Sequence, residues 1–366
     1  MANKGYKSYV FRIYPNKEQE IFFAKTFGCV RFIYNKMLED KISYYKETKQ
    51  ILYNTPAQYK NEFEWLKEID SLALSNAQMN LQKAYNNFFR DPKIGFPKYK
   101  SKKNSKMTYT TNNHKNTIFI DNGRLKLPKM ELIKIKQHRN IPDNYVIKSA
   151  TITKKPSGKY YVSIMFEYDE ETPNIVLDKN KAIGLDYSSH SFYVDSQNVE
   201  ADYPKFYRNT QDKLAREQRK LSHMKYGSNN YQKQRLIVAK IQEHISNQRK
   251  DWIHKLSTRL VNTYDYICVE DINLRNISKS FHLGKSTHDN GFGMFRDILS
   301  YKMHDRGKIF VKIDRWFPSS KTCRFCGTIN KELKLSDRGW TCICGQVLNR
   351  DENAAINILN EGLRFI

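Results

Sequence analysis

Three acids and four cysteines are the residues of this chain whose types and spacing can do chemistry. Cys323 and Cys326 form a C-x2-C pair; after a fifteen-residue gap, Cys342 and Cys344 form a C-x-C pair. Gly327 and Gly345 directly follow the two pairs, as the tight turn of a metal knuckle requires. Four thiolates favour a tetrahedral Zn2+ and leave no open coordination position, so the zinc expected here is structural. Seven residues beyond Cys344 stands Asp351, inside Asn349-Arg-Asp-Glu-Asn-Ala-Ala355. Asp186 closes the apolar run Ala182–Leu185, Glu270 closes Tyr264–Val269, and Asp351 opens a helix. The gaps, 186 to 270 and 270 to 351, are 84 and 81 residues, so these acids meet only by folding. Hard cations take oxygen ligands, and acids on rigid strand ends can hold two Mg2+ ions about 4 Å apart for phosphodiester hydrolysis. Any one of the acids alone reads more readily as a turn or helix cap. The order strand-Asp, strand-Glu, helix-Asp is what favours a metal site. Beside Asp351, Arg350 is placed to meet a phosphate and Asn353 to orient a ligand or water; each serves equally as a local cap or surface contact.

Charge suggests the polymer that such a site would act on. The 366 residues carry a formal charge of +25. Residues 1–180 hold 32 Lys+Arg against 18 Asp+Glu (+14), and residues 181–366 hold 31 against 20 (+11). Such spreading excludes a basic tail on a neutral enzyme and points to a polyanion, nucleic acid first. The 24 Tyr and 20 Phe, interleaved with Lys and Arg, suit stacking on unpaired bases; a Tyr-rich core would use them too. No apolar run approaches the ~18–20 residues of a spanning helix, and Met1–Tyr14 lacks the apolar centre of a signal peptide. We therefore expect a cytoplasmic protein with no membrane partner. Six cysteines fit a reduced compartment, with Cys29 and Cys268 left over as structural residues.

The elements that must position the acids follow from pattern. Residues 6–14 alternate as a strand, and Asn16 caps a helix running through Phe22, Phe23, Phe27, Val30 and Ile33 toward Tyr45. A second helix is predicted over Ser75–Phe89, with Leu81, Ala84 and Phe88 on one face. Lys93–Lys106, with six lysines and no acid, reads as an exposed basic loop. From Thr108 to Tyr168, short alternating runs and the turns Asp121-Asn-Gly123 and Pro156-Ser-Gly158 predict a small antiparallel barrel that the N-terminal strand joins. The helices of 16–92 would then be an insertion. Asp169–Lys181 is the expected boundary. Beyond it come a hairpin (182–186, 192–194), a charged helical stretch over 210–263 broken near 226–230, a strand to Val269, a helix over Gly291–Arg306, a strand over Lys308–Asp314 and a last helix over about 352–361.

Several stretches together resemble the TnpB (OrfB-type) family of bacterial insertion sequences, RNA-guided DNA endonucleases related to type V CRISPR effectors. They are Phe11-Arg-Ile-Tyr-Pro-Asn-Lys-Glu-Gln19, Gly28-Cys-Val-Arg-Phe-Ile-Tyr-Asn-Lys36, Gly95-Phe-Pro-Lys-Tyr-Lys-Ser-Lys-Lys103, Gly184-Leu-Asp186, Val269-Glu-Asp-Ile272, and Arg315-Trp-Phe-Pro-Ser-Ser-Lys-Thr-Cys323 with the motif around Asp351. The resemblance implies an α/β multidomain protein. A RuvC-type, RNase H-like nuclease domain (179–316 and 349–366) would carry Asp186, Glu270 and Asp351 as catalytic Mg2+ ligands. A zinc ribbon (317–348) would be inserted in it. A split wedge β-barrel (1–15 and 107–178) would carry a helical recognition lobe (16–106). It further implies a transposon-derived guide RNA that pairs with the target strand, and a double-stranded DNA target whose short flanking motif the protein reads. Many members have Gly two residues after the first Asp; this chain has Ser188, small enough for the metal site to survive.

Contacts to nucleic acid are expected at three places. Gln78, Gln82 and Lys83 lie on the helix that resembles the segment approaching the flanking motif, where Gln can pair bidentately with adenine. Lys98, Lys100, Lys102 and Lys103 would meet phosphates. Arg249, Lys250 and Lys255 would meet RNA or the heteroduplex; a solvated, salt-bridged helix face explains them nearly as well. Two other readings are an RNA-guided binder without cleavage and an RNA-independent transposition protein. Retention of all three acids argues against the first, and the distributed charge, suited to a large folded RNA, against the second.

Overall fold

The computed structural model describes residues 4–103, 106–170, 175–188, 190–273, 289, 291–334 and 336–366. The chain divides into two units, Met1–Glu171 and Thr172–Ile366; residues 171–174 of the expected boundary lie outside the described residues.

In the first unit β1 (Lys4–Tyr14) is followed by α1 (Lys17–Thr48), α2 (Ser71–Arg90), β2 (Met107–Asn112), β3 (Phe119–Asp121), β4 (Arg124–Lys126), β5 (Ile133–Lys136), β6 (Val146–Lys154) and β7 (Tyr160–Asp169). The strands form one antiparallel half-barrel in the order β2-β6-β7-β1-β5-β4-β3. β1 pairs with β7 from Lys4 to Ile13 and with β5 through Arg12–Tyr14. The first strand thus belongs to the sheet and the helices are inserted behind it. Phe11, Ile13, Ile133, Ile152, Val162, Ile164 and Phe166 fill the inner face. The first half of α1 covers it, with Phe23 stacked on Tyr160 and Phe27 against Tyr109. The second half of α1 makes a separate core with α2 through Ile33, Met37, Leu38, Leu74, Ala77 and Leu81. Cys29 is buried there.

Helix α1 starts at the predicted cap. Asn16 Oδ1 accepts from the Gln19 amide at 2.8 Å and the Asn16 amide donates to Gln19 Oε1 at 3.0 Å, a reciprocal capping box. Helix α2 starts four residues before the predicted Ser75. Asp70 caps it, accepting from the Leu72 amide at 3.3 Å, and also accepts from the Thr111 hydroxyl on β2. The sequence pattern missed this turn because its apolar residues, Ala73 and Leu74, are buried in different cores. The basic loop is also less free than expected. Lys100 is half-buried, its backbone bonded at both ends to the Asn35 side chain (2.8 and 2.9 Å) and its ammonium 3.7 Å from the Tyr34 ring centroid.

The second unit is built on β8 (Ala182–Ser188), β9 (Phe192–Asp195), β10 (Tyr266–Glu270) and β11 (Ile309–Ile313), ordered β11-β10-β8-β9. β8, β10 and β11 are parallel, and β9 returns antiparallel to β8. α3 (Phe206–Ser222) and α4 (Asn229–Thr263) form the charged helical stretch, broken at 223–228, and α5 (Phe292–His304) precedes β11. Ile183, Leu185, Ile267 and Val269 face α4 and α5, packing with Ile253, Leu256, Leu260, Phe295 and Leu299. Strand side chains alternate, so Gly184 and Cys268 face the other way. There the last helix, α6 (Arg350–Leu363), lies against them.

Two glycines make that approach possible. A methyl group at Gly184 would run into the Ala355 carbonyl oxygen of α6 and stand 2.9 Å from Leu359 Cβ. One at Gly362 would strike the Cys268 sulfur, with Cys268 Cβ at 2.7 Å. Gly184 and Cys268 are register partners on β8 and β10, so the helix is clamped at neighbouring points of one sheet face. Gly184→Ala is expected to lift α6 from the strands and destabilise this unit by about 1–3 kcal/mol, the usual range for overpacking. A lowered thermal midpoint would register it.

Candidate active site and metal ribbon

The register of β8 and β10 places the first two acids. Leu185 pairs with Val269 as the last rung between β8 and β10, so the next residues, Asp186 and Glu270, stand side by side where that pairing ends; β10 stops at Glu270, while β8 runs two residues past Asp186, paired only with β9. They share the face of Gly184 and Cys268, the one α6 covers. The third acid comes from that helix. Asp351 lies one turn before Ala355, on the same helical stripe, and Ala355 is the residue whose carbonyl sits over Gly184. Two residues along β8 and one turn back along α6 thus bring Asp186 and Asp351 toward each other.

Capping does not account for Asp351. Asn349 is the N-cap of α6, its Oδ1 accepting from the Asp351 amide at 3.0 Å and the Glu352 amide at 3.1 Å. Nor is Glu270 interchangeable with its neighbour. Asp271 is paired with Arg315 at 2.8 Å and with Arg296 at 3.4 Å, while burial raises the Glu270 carboxyl to about 7. The Asp186 carboxyl is pushed well above its ordinary value, by burial first and then by the negative charge of Glu270 and Asp351; the Arg350 guanidinium opposes this. Buried acids that repel one another are short of positive charge, and an oxygen-only donor set of this kind fits a hard divalent cation.

Two arginines lie close to the acids. Arg338 Nη1, from the ribbon, is 3.2 Å from Asp351 Oδ2; nothing in the spacing signalled it. Arg350, read as a phosphate contact, is largely buried. Its Nη1 donates to the Lys334 and Asp337 carbonyls (3.4 and 3.3 Å) and its Nε is 3.9 Å from Asp351 Oδ1. Asn353 does not orient a ligand either, because both its polar groups are bonded to ribbon backbone.

The four cysteine sulfurs lie within 4.8 Å of one another, with Cys323–Cys344 at 3.8 Å and Cys326–Cys342 at 3.5 Å. A tetrahedral Zn2+ with bonds of about 2.3 Å sets its sulfurs about 3.8 Å apart, so the cluster fits that ion. Gly327 (φ 75°) and Gly345 (φ 82°) take the left-handed conformation the knuckles need. The C-x-C pair works because the short hairpin of β12 (Gly339–Thr341) and β13 (Val347–Asn349) folds Cys342 and Cys344 back toward the first knuckle.

The predicted nucleic-acid residues divide. Lys83, Lys98, Lys102, Lys103 and Lys250 are exposed. Lys255 is exposed but paired with Asp251 at 2.7 Å along the helix. Arg249 is mostly buried, bound to buried Asp289 at 3.2 Å; Asp289 also takes the Tyr207 amide, so this arginine holds the fold together rather than facing a ligand. Gln78 donates to the Asn54 carbonyl at 3.2 Å, and Gln82 to Asn86 at 3.0 Å. A different stripe of α2, carrying Asn76 and Asn80, lines a cleft of ≈ 240 Å³ with Arg31, Lys106, Thr108 and Thr110. The helical period places Asn80 on that stripe, and only the tertiary structure shows that it adjoins β2.

Two outcomes follow. Divalent-cation binding at pH 6.5 is expected to release protons, less so at pH 8.5, because Glu270 must be ionised to bind; calorimetry in buffers of different ionisation enthalpy reads this, and Glu270→Gln should reduce it. Cys342→Ser is expected to lose the ribbon metal and the fixed geometry of Gly339–Asn349, seen as loss of bound zinc and faster amide exchange there.

Comparisons agree with this architecture. Residues 164–280 match a family model described as OrfB_IS605, probable transposase, and 292–358 match a Cas12f1-like TNB domain. Residues 1–50 match a model described as a helix-turn-helix domain; in this structure they hold strand β1 and the single helix α1. The chain is 36% identical over 373 residues to a Streptomyces pristinaespiralis protein named "Putative RNA-guided DNA endonuclease", spanning 99% of this chain and 91% of that one. It is 30% identical over 385 residues to the Escherichia coli K12 protein named "Putative RNA-guided DNA endonuclease InsQ", spanning 98% and 93%. Among solved structures, the Cas12f1 chain of a complex with sgRNA and target DNA superposes with a TM-score of 0.60 at 13% identity, over 98% of this chain and 99% of that one, a likeness of fold. With an inserted cysteine ribbon, a half-barrel and full-length similarity to these relatives, the chain belongs to the TnpB (OrfB-type) family.

Proposed function

We propose that this protein is an RNA-guided DNA endonuclease of an insertion sequence, cutting DNA with a magnesium site made by Asp186, Glu270 and Asp351. The observation that carries the reading is that the buried Asp186 carboxyl feels the negative charge of both Glu270 and Asp351, residues from segments more than 80 residues apart. The names of the full-length relatives and the charge of +25 support a guide RNA and duplex DNA as partners. Asp186 and Glu270 supply oxygens from neighbouring parallel strands, and Asp351 supplies a third from the first turn of α6. Glu270 gives up its proton as the site loads. When bound, divalent ions supply Lewis acidity for the leaving oxygen and lower the pKa of the attacking water. The cysteine ribbon holds one structural Zn2+ and takes no part in the chemistry.

On this reading the half-barrel is the wedge (1–15 and 107–178), the inserted helices the recognition lobe (16–106), residues 179–316 and 349–366 the RuvC-like domain and 317–348 the ribbon. Lys83, Lys98, Lys102, Lys103 and Lys250 meet nucleic-acid backbone. The motif-reading surface is the cleft bearing Asn80 and Lys106, rather than the stripe of Gln78 and Gln82. No described helix is long and apolar enough to cross a membrane.

Asp186→Ala, Glu270→Ala and Asp351→Ala are each expected to abolish magnesium-dependent cleavage of a guided plasmid while leaving guided DNA binding within about twofold, since the acids bind the cation rather than the guide. Full cleavage by the Asp186 variant would refute the assignment.

A further inference from the structure

Helix α6 carries two more polar residues on its buried side, Asn353 and Asn357, 1% and 6% exposed. Asn353 Nδ2 donates to the Thr322 carbonyl at 2.7 Å, and its Oδ1 accepts from the Arg324 amide at 3.1 Å. Asn357 Nδ2 donates to the same Thr322 carbonyl at 2.6 Å and to the Ser319 carbonyl at 2.8 Å. Thr322 and Arg324 flank Cys323, so the backbone on both sides of one ribbon sulfur is bonded to the helix that bears Asp351. Arg324 Nη1 and Glu352 Oε1 close the same contact at 2.6 Å. From the second half of the ribbon, the Arg338 carbonyl accepts from the Arg350 amide at 2.9 Å.

Packing alone does not call for these amides. A buried amide costs stability unless its bonds are made, and apolar residues at both positions would fill the same space. Hydrogen bonds are directional where apolar contacts are not. The two asparagines therefore fix how far along its axis, and at what rotation, α6 sits against the Cys323 knuckle. That rotation decides where Asp351, two residues before Asn353, points.

We infer that Asn353 and Asn357 are positioning residues that couple the state of the cysteine site to the acidic site. With the four sulfurs drawn together, the knuckle is rigid and holds the first turn of α6 so that Asp351 faces Asp186 and Glu270. With the sulfurs released, Thr322 and Arg324 lose their fixed places and the third acid loses its aim. Cation affinity at the acids thus depends on ribbon zinc, through the two amides. This rests on the acids being the cation site.

The test is a two-by-two comparison on the full chain: wild type and Asn353→Ala, each with ribbon zinc present or stripped by a chelator that is then removed. Mn2+ binding is read by electron paramagnetic resonance, and zinc content is measured on every sample. Stripping zinc from wild type is expected to weaken Mn2+ binding about tenfold or more, the effect of losing an outer-shell support. Asn353→Ala with zinc retained should show a comparable loss, and stripping it should add little, because both perturbations cut one path. Equal weakening by zinc removal in wild type and variant, or unchanged Mn2+ binding in the zinc-retaining variant, would overturn the inference. If Asn353→Ala does not fold, Asn357→Ala serves in its place; it keeps both Asn353 bonds and should give the same pattern at smaller size. Asp351→Ala separates the two readings. Should it bind Mn2+ like wild type, the acidic-site assignment fails, whatever the amides do.

Discussion

The structure of the second unit turns on the contact between α6 and the backbone of β8 and β10. The helix comes so close that residue 184 has no room for a methyl group, and Gly362 returns the same allowance to Cys268. Everything that could act on a phosphodiester depends on that distance. The strands supply Asp186 and Glu270; the helix supplies Asp351 and, through its N-terminal end, the attachment of the ribbon. A helix lifted by one methyl group would still bury most of its apolar face, but the third acid would no longer meet the other two.

That closeness has an electrostatic cost, and the site shows it. Asp186 and Glu270 both hold protons more tightly than ordinary carboxyls, chiefly through burial, and Asp186 also through its two acidic neighbours. The nearby cations offset this only in part. Arg350 is tied to ribbon carbonyls, and Arg338 reaches Asp351 from a largely exposed position. The surroundings sort the acids further. Asp271 is neutralised by two arginines, whereas burial alone sets the carboxyl of Glu270 beside it. Surplus negative charge under α6 is what the proposed cation site would need.

Much of this was legible in the sequence where the signal is local. The Asn16 capping box, the glycines after each cysteine pair and the alternation of β6 and β7 are short-range rules, and the structure follows them. Reading failed where a residue's role depends on a distant partner. Lys100 looked like an exposed phosphate contact, yet it lies over Tyr34 and is bonded to Asn35. Arg249 looked like part of a basic helix face, yet it answers a buried aspartate 40 positions away. Gln78 and Gln82 lie on one stripe of α2, and the stripe of Asn76 and Asn80 lines the cleft beside β2, since periodicity defines stripes but not which of them a sheet edge will adjoin.

The sequence by itself determined the chemical inventory: four thiolates at knuckle spacing, three acids beside apolar runs or a helix start, and a positive charge on both halves of the chain. These are properties of residue type and near-neighbour spacing, which no fold can alter. Only the tertiary structure decided that Asn349, not Asp351, caps the last helix, that Asn353 and Asn357 join the ribbon to that helix, and that Asp186, Glu270 and Asp351 share one face. The cap is a choice between near neighbours and the amide bonds span 29 to 38 residues, while the shared face depends on register and close packing between segments more than 80 residues apart; register is fixed only when the whole sheet and its covering helix are in place.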